Sequence, residues 1–292
     1  MEAQGYPCEE RNDFQAPDHL YRNNHDGTFS DVIRETVPHT SWFSMGADAG
    51  DINNDGRLDL LSADMSSTTH FMQKTTMGAM GRKKRFLETA SPRQYMRNAL
   101  YLNTGTPRFM EVAYLTGLAD TDWTWSVKLA DFDNDGRVDV FFTNGTARNT
   151  TDSDKKIDIR KMAGRTMWEA WKNDPPRREH NLVFRNLGQL RFENVSAAWG
   201  LDHLGMSYAA AYSDLDRDGD LDLVVVNLDE PVHLYRNQAT DGNSLLIRLR
   251  STEGNRFGIG ATVRIRCGDD YFLRQLKTCS GFMSSDEPLL HF

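Results

Sequence analysis

Apolar and polar residues alternate in short runs along most of the chain, and the runs recur as a set. LDLLSA, VDVFFTN and LDLVVVN begin at Leu58, Val138 and Leu221, and each follows a small or apolar run: SMGADAG, WSVKLA or YAAAYS. Further on come ALYLNTGTPRFMEV and LVFRNLGQLRFENV; LYRNNHDGTFSDV opens the series at Leu20 and HLYRNQ repeats part of it at His233. Alternation with a period of two, around turns that contain glycine, predicts β-hairpins rather than helices. One unit is therefore four antiparallel strands, the pattern of a propeller blade. The prediction is an all-β chain: a partial β-propeller of about three and a half four-stranded blades over residues 1–240, then a small β domain over 241–292.

Between the first and second strand of each unit lies an acidic nonapeptide: DINNDGRLD from Asp51, DFDNDGRVD from Asp131 and DLDRDGDLD from Asp214. Carboxylates crowded this closely repel one another unless a cation sits among them or water surrounds them. Positions 1, 3, 5 and 9 can curl around one hard cation, glycine at position 6 permits the sharp turn, and position 7 can offer its carbonyl oxygen. The candidate ligands are Asp51, Asn53, Asp55, Arg57 and Asp59; Asp131, Asp133, Asp135, Arg137 and Asp139; and Asp214, Asp216, Asp218, Asp220 and Asp222. All-oxygen donors favour calcium or magnesium over zinc or copper, and the many carboxylates favour calcium, about three ions with one per loop. Asn53 replaces one carboxylate, so the first loop is the weakest candidate. An EF-hand is excluded, because position 12 is Ser62, Phe142 or Val225 where that motif needs an acid. The competing reading is a solvated Asx-rich turn without metal.

These residues resemble the FG-GAP/VCBS repeats of integrin-α-like propellers. The last fifty residues resemble the ASPIC/UnbV domain that follows such repeats in the cartilage acidic protein family. Asn255, Arg256, Gly258, Ile259, Gly260, Ala261, Val263, Ser280, Gly281 and the Leu290-His291-Phe292 ending carry that likeness. The resemblance implies export, so that the protein is secreted, periplasmic or at the cell surface, although MEAQGYPCEERND has no apolar signal region. The family pattern runs on beyond His291-Phe292, and the first unit starts at its third strand. The expectation is a piece of a longer, seven-bladed protein. Gly258-Ile259-Gly260 lacks the third glycine of a dinucleotide fingerprint and reads as a turn between strands.

Charge changes the picture at two inserts. The chain nets −8, but segment 67–98 nets +6 and segment 147–181 nets +3, leaving −17 on the frame. Both inserts join the second strand to the third, so they lie on the face opposite the acidic loops. Trp42, Trp123, Trp125 and Trp199 fall in the connections on that same face. With Arg82, Lys83 and Lys84 they are candidates for binding an extracellular protein or an anionic glycan. The competing reading is that the tryptophans pack the inserts onto the propeller. RKMAGRTMWEAWKN, within the second insert, predicts some helix.

No apolar run approaches a membrane span, and GRKKR on so acidic a chain does not indicate a nucleic-acid partner. There is no GxSxG, HExxH or P-loop. The function expected is a non-catalytic, calcium-binding recognition or adhesion module. A calcium-containing propeller polysaccharide lyase acting on acidic glycans is the alternative. Cys8, Cys267 and Cys279 are expected to be free thiols, with Cys267 opposite about Tyr271 in a hairpin turning at Gly268-Asp269-Asp270.

Overall fold

The computed structural model describes residues 18–77, 91–150, 171–240 and 242–292, with positions 152, 154, 166 and 169. Four consecutive sheets follow the repeat. Tyr21–Asn23 and Phe29–Asp31 pair as a half-blade. The first blade orders Ala47–Gly50, Asp59–Ser62, Ala99–Asn103 and Phe109–Glu111 from inside out. The second orders Asp122–Ala130, Asp139–Asn144, Leu182–Asn186 and Phe192–Asn194, with Met65–Ser66 added at its inner edge. The third has Ser207–Ser213, Asp222–Asn227 and His233–Tyr235. Every pairing within a blade is antiparallel.

Alternation assigns each side chain to one neighbour. Leu61 and Leu100 of the first blade point forward onto Val140, Phe142, Phe184 and Phe192 of the second. Phe141 and Val183 of the second blade point forward onto Leu223, Val225, Tyr212 and Tyr235 of the third. Leu60, Tyr101 and Phe109 point back onto Leu20, Ile33 and Val37 of the half-blade and its exit. A slip of one residue in any strand would exchange the two faces, so burial on both sides fixes the register.

The C-terminal segment packs against the first strands of the blades. A hairpin pairs Thr262–Cys267 with Asp270–Gln275, and Leu246–Ile247 pairs with Leu290–His291. The hairpin turn has two residues, so Cys267 faces Asp270 and not Tyr271; Gly268 takes the positive φ of 62° that a tight turn requires. Both described thiols, Cys267 and Cys279, are free and exposed. Residues 277–287 then touch the inner strand of all three blades. Lys277 bonds Asp48 and the Ala49 carbonyl, and Gly281 N–H donates to Ala47 O at 2.8 Å. Phe282 N–H donates to Ser126 Oγ, and Asp286 accepts from Tyr212 N–H. Lys128, at 0% exposure, donates to both oxygens of Asp286 at 2.9 and 3.0 Å and to Ser280 Oγ at 2.7 Å.

Asp64 follows the second strand of the first blade, where the other two blades carry Asn144 and Asn227. Its carboxyl is fully buried, accepts the N–H groups of Trp42, Phe43 and Met65, and is pushed by desolvation up to about 7. The unfolded chain holds this proton less tightly than the folded one. The contribution of Asp64 to stability is therefore full below about pH 4 and is lost as pH rises through about 7. The tighter hold on that proton is worth roughly 4 kcal/mol at most. Chemical denaturation of Asp64→Asn between pH 5 and 8 is expected to show a flatter stability profile than the parent chain; parallel profiles would refute it.

Candidate metal centres

The three acidic loops fold alike because the same carboxylates cap the same backbone groups. Position 1 closes the turn: Asp51 accepts the N–H groups of Asp55 and Gly56, Asp131 those of Asp135 and Gly136, and Asp214 those of Asp218 and Gly219. Position 9 ties the loop to the third strand. Asp59 accepts from Ile52 and Asn103, Asp139 from Phe132 and Asn186, and Asp222 from Leu215 and Asn237. Position 4 takes the left-handed backbone at Asn54, Asn134 and Arg217, with φ of 54°, 57° and 66°, a conformation that asparagine tolerates well. Position 8 is the apolar plug, with Val138 and Leu221 buried.

Loops two and three gather their carboxylates. One oxygen each from Asp131, Asp133 and Asp139 lie within 4.8 Å of one another, as do oxygens from Asp214, Asp216 and Asp218. In loop one Asn53 instead donates its amide to Asp55 at 3.1 Å, and no such group of three forms there among the described residues. Burial is the largest influence on the second loop. It pushes Asp131 up to about 6, Asp139 well above the carboxylate range and Asp133 upward, with neighbouring carboxylates adding to it. Asp59 is pushed up to about 6 by the same desolvation. The third loop is more open, and Asp218 is held below its ordinary value, chiefly by the Asp220 N–H.

Arginines partner the outer carboxylates. Arg57 pairs with Asp55, Arg137 with Asp135, Arg185 with Asp133 and Asp135, and Arg236 with Asp216 and Asp218. Among these carboxylates Asp133 Oδ1 is buried without a hydrogen-bond partner, as are the amide oxygens of Asn54 and Asn134, and Asp133 belongs to the gathered cluster of loop two. A buried, unpartnered carboxylate oxygen among two further carboxylates fits a hard cation.

An asparagine at or just past the end of the third strand holds neighbouring loops together in the second and third blades. Asn186 Nδ2 donates to Val138 O of its own blade and to Ile52 O of the blade before; Asn237 Nδ2 donates likewise to Leu221 O and Phe132 O. Asn103 makes the intrablade bond to Leu58 O. The C-terminal segment also reaches this face: Arg274 lies by Asp131, Asp51 and the Gly136 carbonyl, and His291 Nε2 bonds Gly219 O at 2.9 Å. None of these residues is among the candidates read from the sequence. The asparagine was recoverable from its recurrence in LYLN, VFRN and LYRN; the approach of Arg274 and His291 leaves no local trace.

Residues 11–62 and 88–142 match the FG-GAP-like repeat, and residues 251–292 match ASPIC and UnbV. The chain is an FG-GAP-like repeat protein with an ASPIC and UnbV domain. The third acidic loop lies outside the matched segments and makes the same capping bonds as the first two. The chain is similar to cartilage acidic protein 1 of Homo sapiens, 23% identical over 98% of the chain, and to that of Xenopus tropicalis, 25% identical over 98%. It spans 36% of the length of these relatives. Among the described residues, no helix is long and apolar enough to cross a membrane.

The FG-GAP strands place the candidate partner residues unevenly. Trp42 and Trp123 are 9% and 6% exposed and pack with Met65 and Met96. Their rings are committed to packing, the competing reading of these tryptophans in the sequence. Trp125 stacks on Tyr208 with ring centroids 4.4 Å apart, and Trp199 packs against the core between blades two and three. Arg82, Lys83 and Lys84 lie outside the described residues, as does most of the helix predicted in the second insert. The inserts do meet: Arg177, which closes the second, donates to Ser67, which opens the first.

Proposed function

We propose that this protein is a calcium-stabilised, non-catalytic recognition module that works outside the cell. The observation that carries the metal reading is the buried, unpartnered Asp133 Oδ1 within a cluster of three carboxylates. Calcium in loop two would be held by Asp131, Asp133, Asp135 and Asp139 with the Arg137 carbonyl. In loop three it would be held by Asp214, Asp216, Asp218 and Asp222 with the Asp220 carbonyl. Loop one offers Asp51, Asn53, Asp55, Asp59 and the Arg57 carbonyl, and is the weakest of the three. The bound ion supplies charge balance. The chain supplies the turn, through its backbone N–H groups, and the anchoring to the third strand.

The partner surface in this reading is the insert-bearing face, because in the first two blades the second strand starts at an acidic loop and runs on to an insert. Its recognition rests on basic side chains rather than on Trp42 and Trp123, which are buried. An acidic protein surface or an anionic glycan matches that charge. The name of these relatives, cartilage acidic protein 1, supports an extracellular setting.

Calcium titration calorimetry tests the metal reading. The chain is expected to bind two ions more tightly than any third, and Asp133→Asn is expected to abolish one of the two tight sites. Full stoichiometry in Asp133→Asn, or an equal response to magnesium, would refute the assignment.

A further inference from the structure

Arg57, Arg97, Arg137, Arg177, Arg185 and Arg236 each face a carboxylate. Arg34, Arg93 and Arg108 do not. Among the described residues no ion pair or side-chain hydrogen bond engages these three, and all of them line one cavity of about 380 Å³. Like charges around one cavity repel each other, as the carboxylates of the acidic loops do, and an ion of opposite sign among them relieves the repulsion.

Separate elements bring the arginines together. The short helix Ile33–Thr36 buries Ile33 and Thr36, which turns Arg34 outward. Arg93–Tyr95 pairs in parallel with His39–Ser41, and the register sets Arg93 opposite His39. Arg108 precedes Phe109–Glu111, the outermost strand of the first blade, and Phe109 packs back onto Ile33 and Val37. The cavity therefore sits at an internal junction, between the exit of the half-blade and the first blade, and both of its walls are described. Val37 and Pro92 are buried and Phe109 is half-buried, so the deeper lining is apolar, while the three guanidinium-bearing residues are exposed at its rim.

We propose that this cavity binds an acidic sugar unit of a glycan chain, sulfated or carboxylated, with Arg34, Arg93 and Arg108 holding its anionic oxygens. This assignment rests on the extracellular recognition reading above and places the contact at these arginines. A guanidinium fork meets two oxygens of a carboxylate at once, and a sulfate offers the same spacing. The volume lies at the lower end of ligand pockets, roughly 300–1,000 Å³, and leaves room for a ring beside the anionic group. The C–H face of a pyranose suits the lining of Val37, Pro92 and Phe109 better than the acidic side chain of a protein does, because that side chain brings little apolar surface.

Fluorescence anisotropy of a labelled heparin hexasaccharide, titrated with the full chain in calcium, tests the site. Binding is expected, and added salt is expected to weaken it. Arg34→Gln, Arg93→Gln and Arg108→Gln are each expected to lower the affinity by about tenfold or more, the usual cost of a lost hydrogen bond between charged groups. Arg34→Lys, Arg93→Lys and Arg108→Lys are expected to keep only part of it, because the charge remains without the fork. Arg256→Gln, which does not line the cavity, is expected to bind as the parent does. Undiminished affinity in the three glutamine variants, or an equal loss in Arg256→Gln, overturns the site. If joint replacement of Arg82, Lys83 and Lys84 by alanine then abolishes binding, the site falls while the insert-bearing face stands as the partner surface. Binding of hexaglutamate but not of the hexasaccharide overturns the sugar assignment in favour of an acidic protein. Binding of neither removes both this site and the acidic partner of the proposed function.

Discussion

Replacing Lys128 by methionine is expected to destabilise the protein by about 3–5 kcal/mol, the usual cost of leaving one partner of a buried ion pair alone. Lys128 and Asp286 have side chains 0% and 2% exposed, and they join the inner strand of the second blade to the C-terminal segment. Burial depresses the ammonium of Lys128, and Asp286 opposes that shift. Methionine matches the length of the side chain but leaves the carboxylate of Asp286 without its cation. The further substitution Asp286→Leu removes the orphaned charge, so the double variant is expected to recover much of the loss. Some deficit remains, since Ser280 Oγ and Tyr212 N–H lose their acceptor. Urea unfolding of the parent, both single variants and the double variant measures the coupling. Additive losses would show that the pair does not hold the C-terminal segment to the blades.

Removing calcium is expected to lower the melting temperature by roughly 10–20 °C. The figure assumes two sites, each contributing about 2.7 kcal/mol at a hundred times its dissociation constant. For a domain of this size each kcal/mol moves the midpoint by about 2–4 °C. The cause is local. In loop two Asp131, Asp133 and Asp139 are desolvated together, and without a cation their charges repel across less than 4.8 Å. Scanning calorimetry in calcium, in EDTA and in magnesium decides the matter. Equal midpoints in all three would mean that Arg57, Arg137, Arg185 and Arg236 suffice as counter-charges. Such a result would remove the metal from the proposed function without touching the fold.

The two results bear on each other through the C-terminal segment. Arg274 and His291 of that segment rest against the acidic loops, while Lys128 of the blades is satisfied by Asp286 of that segment. The ASPIC and UnbV match is thus part of the same packing as the repeats.

The sequence by itself determined the blades. Alternation around glycine turns sets antiparallel units, four-stranded in the first two blades and three-stranded in the third, and the nonapeptides locate the turn between first and second strands. Both are local signals: side chains of period two and a loop whose own carboxylates cap its own N–H groups. The gathering of carboxylates in loops two and three was legible for the same reason. What tertiary structure alone decided lies between distant segments. It buried Trp42 and Trp123, which the order of strand connections placed on the insert-bearing face, because Met65 and Met96 come from other parts of the chain. It also chose which blade each alternate residue touches. Lastly, it brought Lys128 to Asp286 across 158 positions. No window of sequence reports such a pairing, because the buried charge is satisfied only once the C-terminal segment has packed against the second blade.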